Sequence, residues 1–327
     1  MRRRFSYTGR AAWALVAAVG LAGCGLASGS PVADDVEPGS IGRGQPLKGA
    51  DLTVTSKEFT EQIILGQIMA LAFKAAGAEV LDRTAIQGSI GTREAVKSGA
   101  ADANYEYTGT AWITYLGHTK PIADPYKQWV AVRDEDRGKG LTWLPPAPMD
   151  NTYAFAANQA NAKKYRLETL SDVAALSKKD PDAVTLCLDG EFAVREDGLP
   201  GLEKKYGFSI PSQNLKKMDS GIVYNEVTSG RSCTLGEVFT TDGRIPELNL
   251  KVLEDDKKFF PNYNAAPVIN SKTFRKYPVI AKILDPITKK LTTPVAQQLN
   301  AKVDVDGEDP HEVAKDWMVK EGFIREG

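Results

Sequence analysis

From Asp51 onward, short alternating runs take turns with longer runs of helical spacing, and that alternation admits few folds. Asp51-Leu-Thr-Val-Thr-Ser56 reads as a strand. The stretch 60–76 then carries Ile63, Ile64, Ile68, Leu71, Ala72 and Ala75 at helical spacing and stops at Gly77. A strand near 79–84, a short helix near 92–98 and a strand near 102–107 follow. Asp124-Pro125 opens another helix, with proline where its missing N–H costs nothing. Past the punctuation Pro145-Pro-Ala-Pro148, a strand at 152–157 resumes the alternation, which continues through 184–188, 199–206, 221–228, 236–239 and 248–253. After Pro261-Asn-Tyr-Asn264, a strand at 266–269 leads into a mainly helical end reaching Phe323. Such alternation predicts parallel sheets covered by helices, an α/β fold. The two proline-marked stretches are the natural boundaries. A middle segment between two crossings places the first and last segments in one domain.

The N-terminus points to export. Arg2, Arg3, Arg4 and Arg10 precede an apolar run from Ala11 to Gly23, the layout of a secretory signal peptide. The run is shorter than the ~20 residues of a membrane-spanning helix. It closes on Leu21-Ala-Gly-Cys24, which resembles a bacterial lipobox, so residues 1–23 are expected to be removed and Cys24 to carry lipid. A diacylated cysteine supplies the two chains that stable anchoring needs. The expected location is therefore extracytoplasmic, lipid-anchored to the outer face of the cell membrane. Residues 24–48 are rich in Gly, Ser, Pro and acids without periodicity and read as a flexible tether. Cys187 and Cys233 remain; an oxidising exterior favours a disulfide between them, with two buried thiols as the alternative.

Several chemistries are disfavoured. The formal net charge is −1, and the four N-terminal arginines are among the cations, so no basic surface for nucleic acid is expected. Two histidines, His118 and His311, make no pair at metal-ligand spacing, and Gly-x-Ser-x-Gly does not occur. Gln87-Gly-Ser-Ile-Gly91 lacks the Lys-Ser/Thr ending of a phosphate loop and reads as a tight turn before a helix. Asp304, Asp306 and Asp309 read as a solvated turn, since the glycine comes too early for a calcium loop. No metal, cofactor or catalytic constellation is expected.

Three strings are too particular for packing alone: Ser56-Lys-Glu-Phe-Thr-Glu-Gln62, Tyr105-Glu-Tyr-Thr-Gly-Thr-Ala-Trp112 and Phe239-Thr-Thr-Asp-Gly-Arg-Ile245. Between and after them come Glu191-Phe-Ala-Val-Arg-Glu-Asp-Gly-Leu-Pro-Gly-Leu202 and the stretch 253–267 with Phe-Phe-Pro-Asn-Tyr263. In this order they resemble the substrate-binding proteins of osmoprotectant ABC importers, which take up glycine betaine, carnitine and choline. The resemblance implies a two-domain periplasmic-binding-protein fold, a type II Venus flytrap with the ligand in the interdomain cleft. It implies that residues 49–149 plus 262–327 form domain I and residues 150–261 form domain II. The implied partners are a quaternary amine, a membrane permease with its separate ATPase, and membrane lipid through Cys24; the protein itself is expected to be a monomer.

The resemblance also assigns a site. Tyr107, Tyr153, Phe239 and Tyr263 would box the trimethylammonium head, two from each domain. A quaternary nitrogen has no N–H to donate, so ring faces, negative and apolar together, suit it. Lys57, Thr110 and Arg195 would meet a betaine carboxylate, Arg195 by a bidentate fork. Asn151 would contact the head group through its backbone, and Glu191 would hold Arg195. Thr110 argues for a carboxylated ligand, because choline-restricted relatives carry an acid there. Phe239 departs from the family's usual tyrosine and loses a hydroxyl. Four ring faces at ~2 kcal/mol each roughly match a micromolar affinity before the cost of immobilising the ligand. Carboxylate contacts or methyl burial must therefore add to them. A neutral aromatic or polyol ligand, or a sensor role, are the alternatives; Trp112 and Trp129 read as core.

Overall fold

The computed structural model describes residues 29–32 and 36–327, so the basic stretch, the apolar run and Cys24 lie outside the described residues. Two β-sheets divide the chain. The first has six strands, in the spatial order Ser30–Pro31, Glu79–Ile86, Asp51–Lys57, Ala103–Tyr107, Ala265–Asn270, Leu141–Trp143. The second has five, in the order Leu250–Val252, Tyr153–Asn158, Leu235–Phe239, Leu186–Leu188, Leu215–Lys217. Both are mixed, which corrects the expectation of purely parallel sheets. Asp51–Lys57 is parallel to both its neighbours, but Ala265–Asn270 and Tyr153–Asn158 run antiparallel to both of theirs. These two antiparallel strands are the ones that follow the crossings. They enter their sheets straight from the other half, without the crossover helix that a parallel neighbour requires.

The helix Thr60–Ala75 is buried except at Thr60, Ile63 and Lys74. A helix apolar on almost every side is a core helix, and it packs on Asp51–Lys57, on Glu79–Ile86 and on the helix Pro310–Lys320. Gly77, at φ +94°, ends it in a conformation a side chain would strain. Its first turn follows directly on the end of the strand Asp51–Lys57, which matters for the site.

Residues 36–48 differ from the expected tether. Val36–Pro38 pairs with Ile324–Glu326, Ile41 and Leu47 are buried, and the Leu47 N–H donates to the Ala76 carbonyl at 2.8 Å. Single apolar residues spaced too widely for any period each find a pocket on the first half, so the segment is a strap. In the second half, Cys187 and Cys233 form a disulfide, Cα–Cα 5.7 Å, packed on Val223.

The crossings pair with each other. Asp150 and Asn264 form an isolated antiparallel bridge, and the Asn151 N–H donates to the Tyr263 carbonyl at 3.2 Å. The Asp150 carboxylate accepts the Tyr263 N–H at 2.6 Å. Two short hydrogen-bonded segments thus join the halves.

Candidate functional site

Strand ends deliver the side chains. Lys57 and Tyr107 end neighbouring strands of the first sheet, and Phe239 and Tyr153 are register partners at the adjoining ends of two interior strands of the second. The crevice outside strand ends is where open α/β sheets place ligands. Here it is a cavity of about 570 Å3, lined by all nine expected residues: Lys57, Tyr107, Thr110, Asn151, Tyr153, Glu191, Arg195, Phe239 and Tyr263.

The rings form a connected set. Tyr153 lies 5.2 Å from Phe239 and 5.3 Å from Tyr263, the latter pair nearly perpendicular at 85°. Tyr107 joins through Phe59, which the sequence reading missed. Phe59 stacks 6.2 Å from Tyr107 and 5.4 Å from Phe239, bridging the two halves. It stands inside the first particular string, two residues after Lys57, and that position was the available signal. Gly109 makes room for Tyr263, since a Cβ there would lie 2.7 Å from its ring.

Two of the ring hydroxyls end on carboxylates. The Tyr107 hydroxyl donates to Glu61 Oε1 at 2.6 Å and that of Tyr263 to Asp197 Oδ2 at 2.7 Å. Burial, and then the neighbouring carboxylate, push both phenols well above their ordinary range, so they stay protonated and donate. Glu61 sits in the first turn of the core helix and accepts also from the side-chain amides of Asn151 at 2.5 Å and Asn300 at 3.3 Å. Burial raises its pKa, and these hydrogen bonds pull the other way. The sequence reading missed Glu61 as well, because an acid in the first turn of a helix is ordinary.

The polar end departs from expectation. Arg195 donates Nε to Asp197 at 2.7 Å, Nη1 to Glu191 at 2.8 Å, and Nη2 to both Asp197 and Thr110. The fork expected to grip a ligand carboxylate is already filled by Asp197. An acid two residues from an arginine is visible in sequence, but its orientation is not. Lys57 Nζ lies 2.7 Å from Glu106 and 5.0 Å from the centre of the Tyr107 ring. Each cation expected to serve a ligand carboxylate therefore has an acid of its own. Glu191 does meet Arg195. Asn151 gives its backbone N–H to the hinge and its side chain to Glu61.

The halves touch on both flanks of the cleft. On one, the Ser89 N–H donates to Glu191 Oε2 at 3.2 Å. On the other, Gln297 and Asn300 donate to the carbonyls of Thr240 and Thr241, each at 2.9 Å. Gly243 lies so close to the helix Thr293–Asp304 that a Cβ would come within 2.6 Å of Gln297 O and Ala301 Cβ. Asp304, expected in a solvated turn, accepts from Thr60 Oγ1 at 2.6 Å and faces Arg244 at 3.5 Å. The correction has a simple cause: a helix end covered by the opposite half keeps its acid out of water.

Residues 50–320 match the sequence profile described as the substrate binding domain of ABC-type glycine betaine transport system. A glycine-betaine-binding protein of Pseudomonas aeruginosa is 36% identical over 84% of this chain and 89% of its own. A relative in Helicobacter pylori, the ergothioneine transport permease/ergothioneine binding protein EgtU, is 35% identical over 83% of this chain but 48% of its own. Among solved structures, a glycine betaine/carnitine/choline ABC transporter protein matches with TM-score 0.67 and 30% identity, over 84% of this chain and 98% of that one.

Proposed function

The chain belongs to the family of substrate-binding domains of ABC-type glycine betaine transport systems, and from that premise we propose that its ring-lined cleft captures a quaternary-amine osmoprotectant for delivery to a separate permease. The observation that carries this is the connected ring set, Tyr107, Phe59, Phe239, Tyr153 and Tyr263, drawn from both halves around one cavity. Ring faces bind a cation that offers no hydrogen-bond donor, and rings from both halves are brought together only when the cleft closes. The domains are taken as residues 49–149 with 262–327, and 150–261. Family relatives bind solutes, and the protein is read as binding its ligand without transforming it.

Leu21-Ala-Gly-Cys24 supports a lipid anchor that keeps a monomeric trap near its permease, raising its effective concentration there. The same acyl chains hold it to the outer face of the membrane. The remaining hydrogens of Lys57 are the donors left for a ligand carboxylate, with Thr110 beside the cavity. The volume leaves room for a betaine larger than glycine betaine, which brings the compound in the name of the Helicobacter pylori relative within the candidate set.

Titration calorimetry with glycine betaine, carnitine, choline and ergothioneine tests the reading. Saturable binding of at least one at micromolar to sub-millimolar concentration is expected. Absence of heat with all four at millimolar concentration would sink it.

A further inference from the structure

The charges around the rings do not balance. Lys57 and Arg195 stand 5.0 Å and 5.5 Å from the centres of the Tyr107 and Tyr153 rings, where they oppose the entry of another cation. Nearest to them stand the carboxyl groups of Glu106, Glu191, Asp197 and Glu61, and the rest of the cavity lining adds one more cation, Arg244, paired with Asp242, against further acids such as Asp189 and Asp304. Glu106, Glu191 and Asp197 are ion-paired with Lys57 or Arg195. Glu61 is held by Tyr107, Asn151 and Asn300, all neutral donors.

We propose that the cleft distinguishes a charged head group from a neutral one of the same shape through two tyrosine–carboxylate pairs, Tyr107 with Glu61 and Tyr263 with Asp197. Glu61 and Asp197 are thereby specificity-determining residues that act through the rings and through their own field, without needing to touch the ligand. The inference rests on reading this cleft as a quaternary-amine site. A trimethylammonium group and a tert-butyl group bury the same methyl surface, so apolar contact favours both alike. Charge alone separates them. A phenol that donates to a carboxylate gains electron density, which deepens the negative face of its ring. The carboxylate adds direct attraction in a site shielded from water. Tyr153, whose ring lies near Arg195, and Phe239, which has no hydroxyl, contribute face and area without that enhancement. Burial disfavours the ionised form of Glu61, and a bound ammonium would supply the opposite charge that favours it, which Glu61 does not meet among its hydrogen-bond partners in the described residues.

The test compares matched probes on the full mature protein: glycine betaine against 3,3-dimethylbutanoate, and choline against 3,3-dimethylbutan-1-ol. Dissociation constants come from calorimetry, by competition for the weaker member. Glu61→Gln and Asp197→Asn are each expected to lower the preference for the ammonium member about tenfold. Tyr107→Phe and Tyr263→Phe remove the same hydrogen bonds while keeping the rings, and are expected to shift the preference in the same direction. They also stand in for either acid variant that fails to fold. A preference unchanged in the variants, with both members of a pair weakened equally or not at all, overturns the proposal. If the wild type binds neither ammonium probe, the inference falls, while the reading of the cleft falls only if carnitine and ergothioneine fail to bind as well.

Discussion

The two walls of the cleft carry aromatic rings in comparable number but are built to different ends. On the first, Phe59 and Glu61 flank the start of a helix buried on nearly every side, beside strand ends bearing Lys57 and Tyr107. Its acid, Glu61, accepts from the neutral donors Tyr107, Asn151 and Asn300. On the second, Arg195 is tied to Glu191 and Asp197 within its own loop, and the ring of Phe239 has no polar handle. The difference teaches that a cationic side chain in a binding cleft is not thereby a ligand contact. Arg195 spends its fork on its own wall and reaches the other through Thr110 at 3.3 Å, so closure is its first task.

The largest effect expected bears on that claim. Arg195→Ala strands Asp197 in a buried place and should cost about 3–5 kcal/mol of stability in denaturant unfolding. Because Asp197 already fills the fork, the accompanying loss of affinity should fall on glycine betaine and choline alike. A loss confined to glycine betaine would restore the reading of Arg195 as a clamp for the ligand carboxylate. Next comes the disulfide, which closes a 46-residue separation in the second half only. Replacing Cys187 and Cys233 by serine should remove about 2–4 kcal/mol from unfolding without changing ligand preference. An altered preference would tie the second wall's shape to that bond.

Smaller effects sharpen the comparison at the rings. Phe239→Ala should weaken a quaternary amine by about 2 kcal/mol, roughly 30-fold, whereas Phe239→Tyr should leave binding intact or improved. Equal losses from both would take Phe239 out of the cage. Gly243→Ala touches no ring, yet its methyl would meet Gln297 and Ala301 on the opposite half. It should wedge the halves apart and lower affinity about tenfold, alongside a larger radius of gyration in small-angle scattering. Unchanged affinity would show that the flank contact is dispensable for closure.

Much of this architecture is legible along the chain. The helix 60–75, the strand before it and the glycine after it follow from spacing and turn chemistry, and proline marks both crossings. Tyr107, Phe239 and Tyr263 lie in strings that resemble one family, and Tyr153 opens the strand after the first crossing. What escaped notice shares a physical character. Phe59 and Glu61 lie inside a string already singled out, but alone they read as a core ring and a helix-start acid. Residues 36–48 carry apolar side chains without a period, so nothing local announces that they are strapped down. Asp304 is in a polar turn by composition and half-buried against the opposite half.

By itself, the sequence determined the α/β alternation and where the chain crosses between halves, because backbone propensity and periodicity act over a few residues; which strings meet at the cleft was implied only by their resemblance to one family. Only the tertiary structure decided the electrostatics of the site. The partner of Tyr107 is 46 positions away and that of Tyr263 is 66. Whether Arg195 faces Asp197 or a ligand depends on side-chain direction rather than spacing. Such contacts are set by how sheets and helices pack, and their strength by how far burial keeps water from the charges.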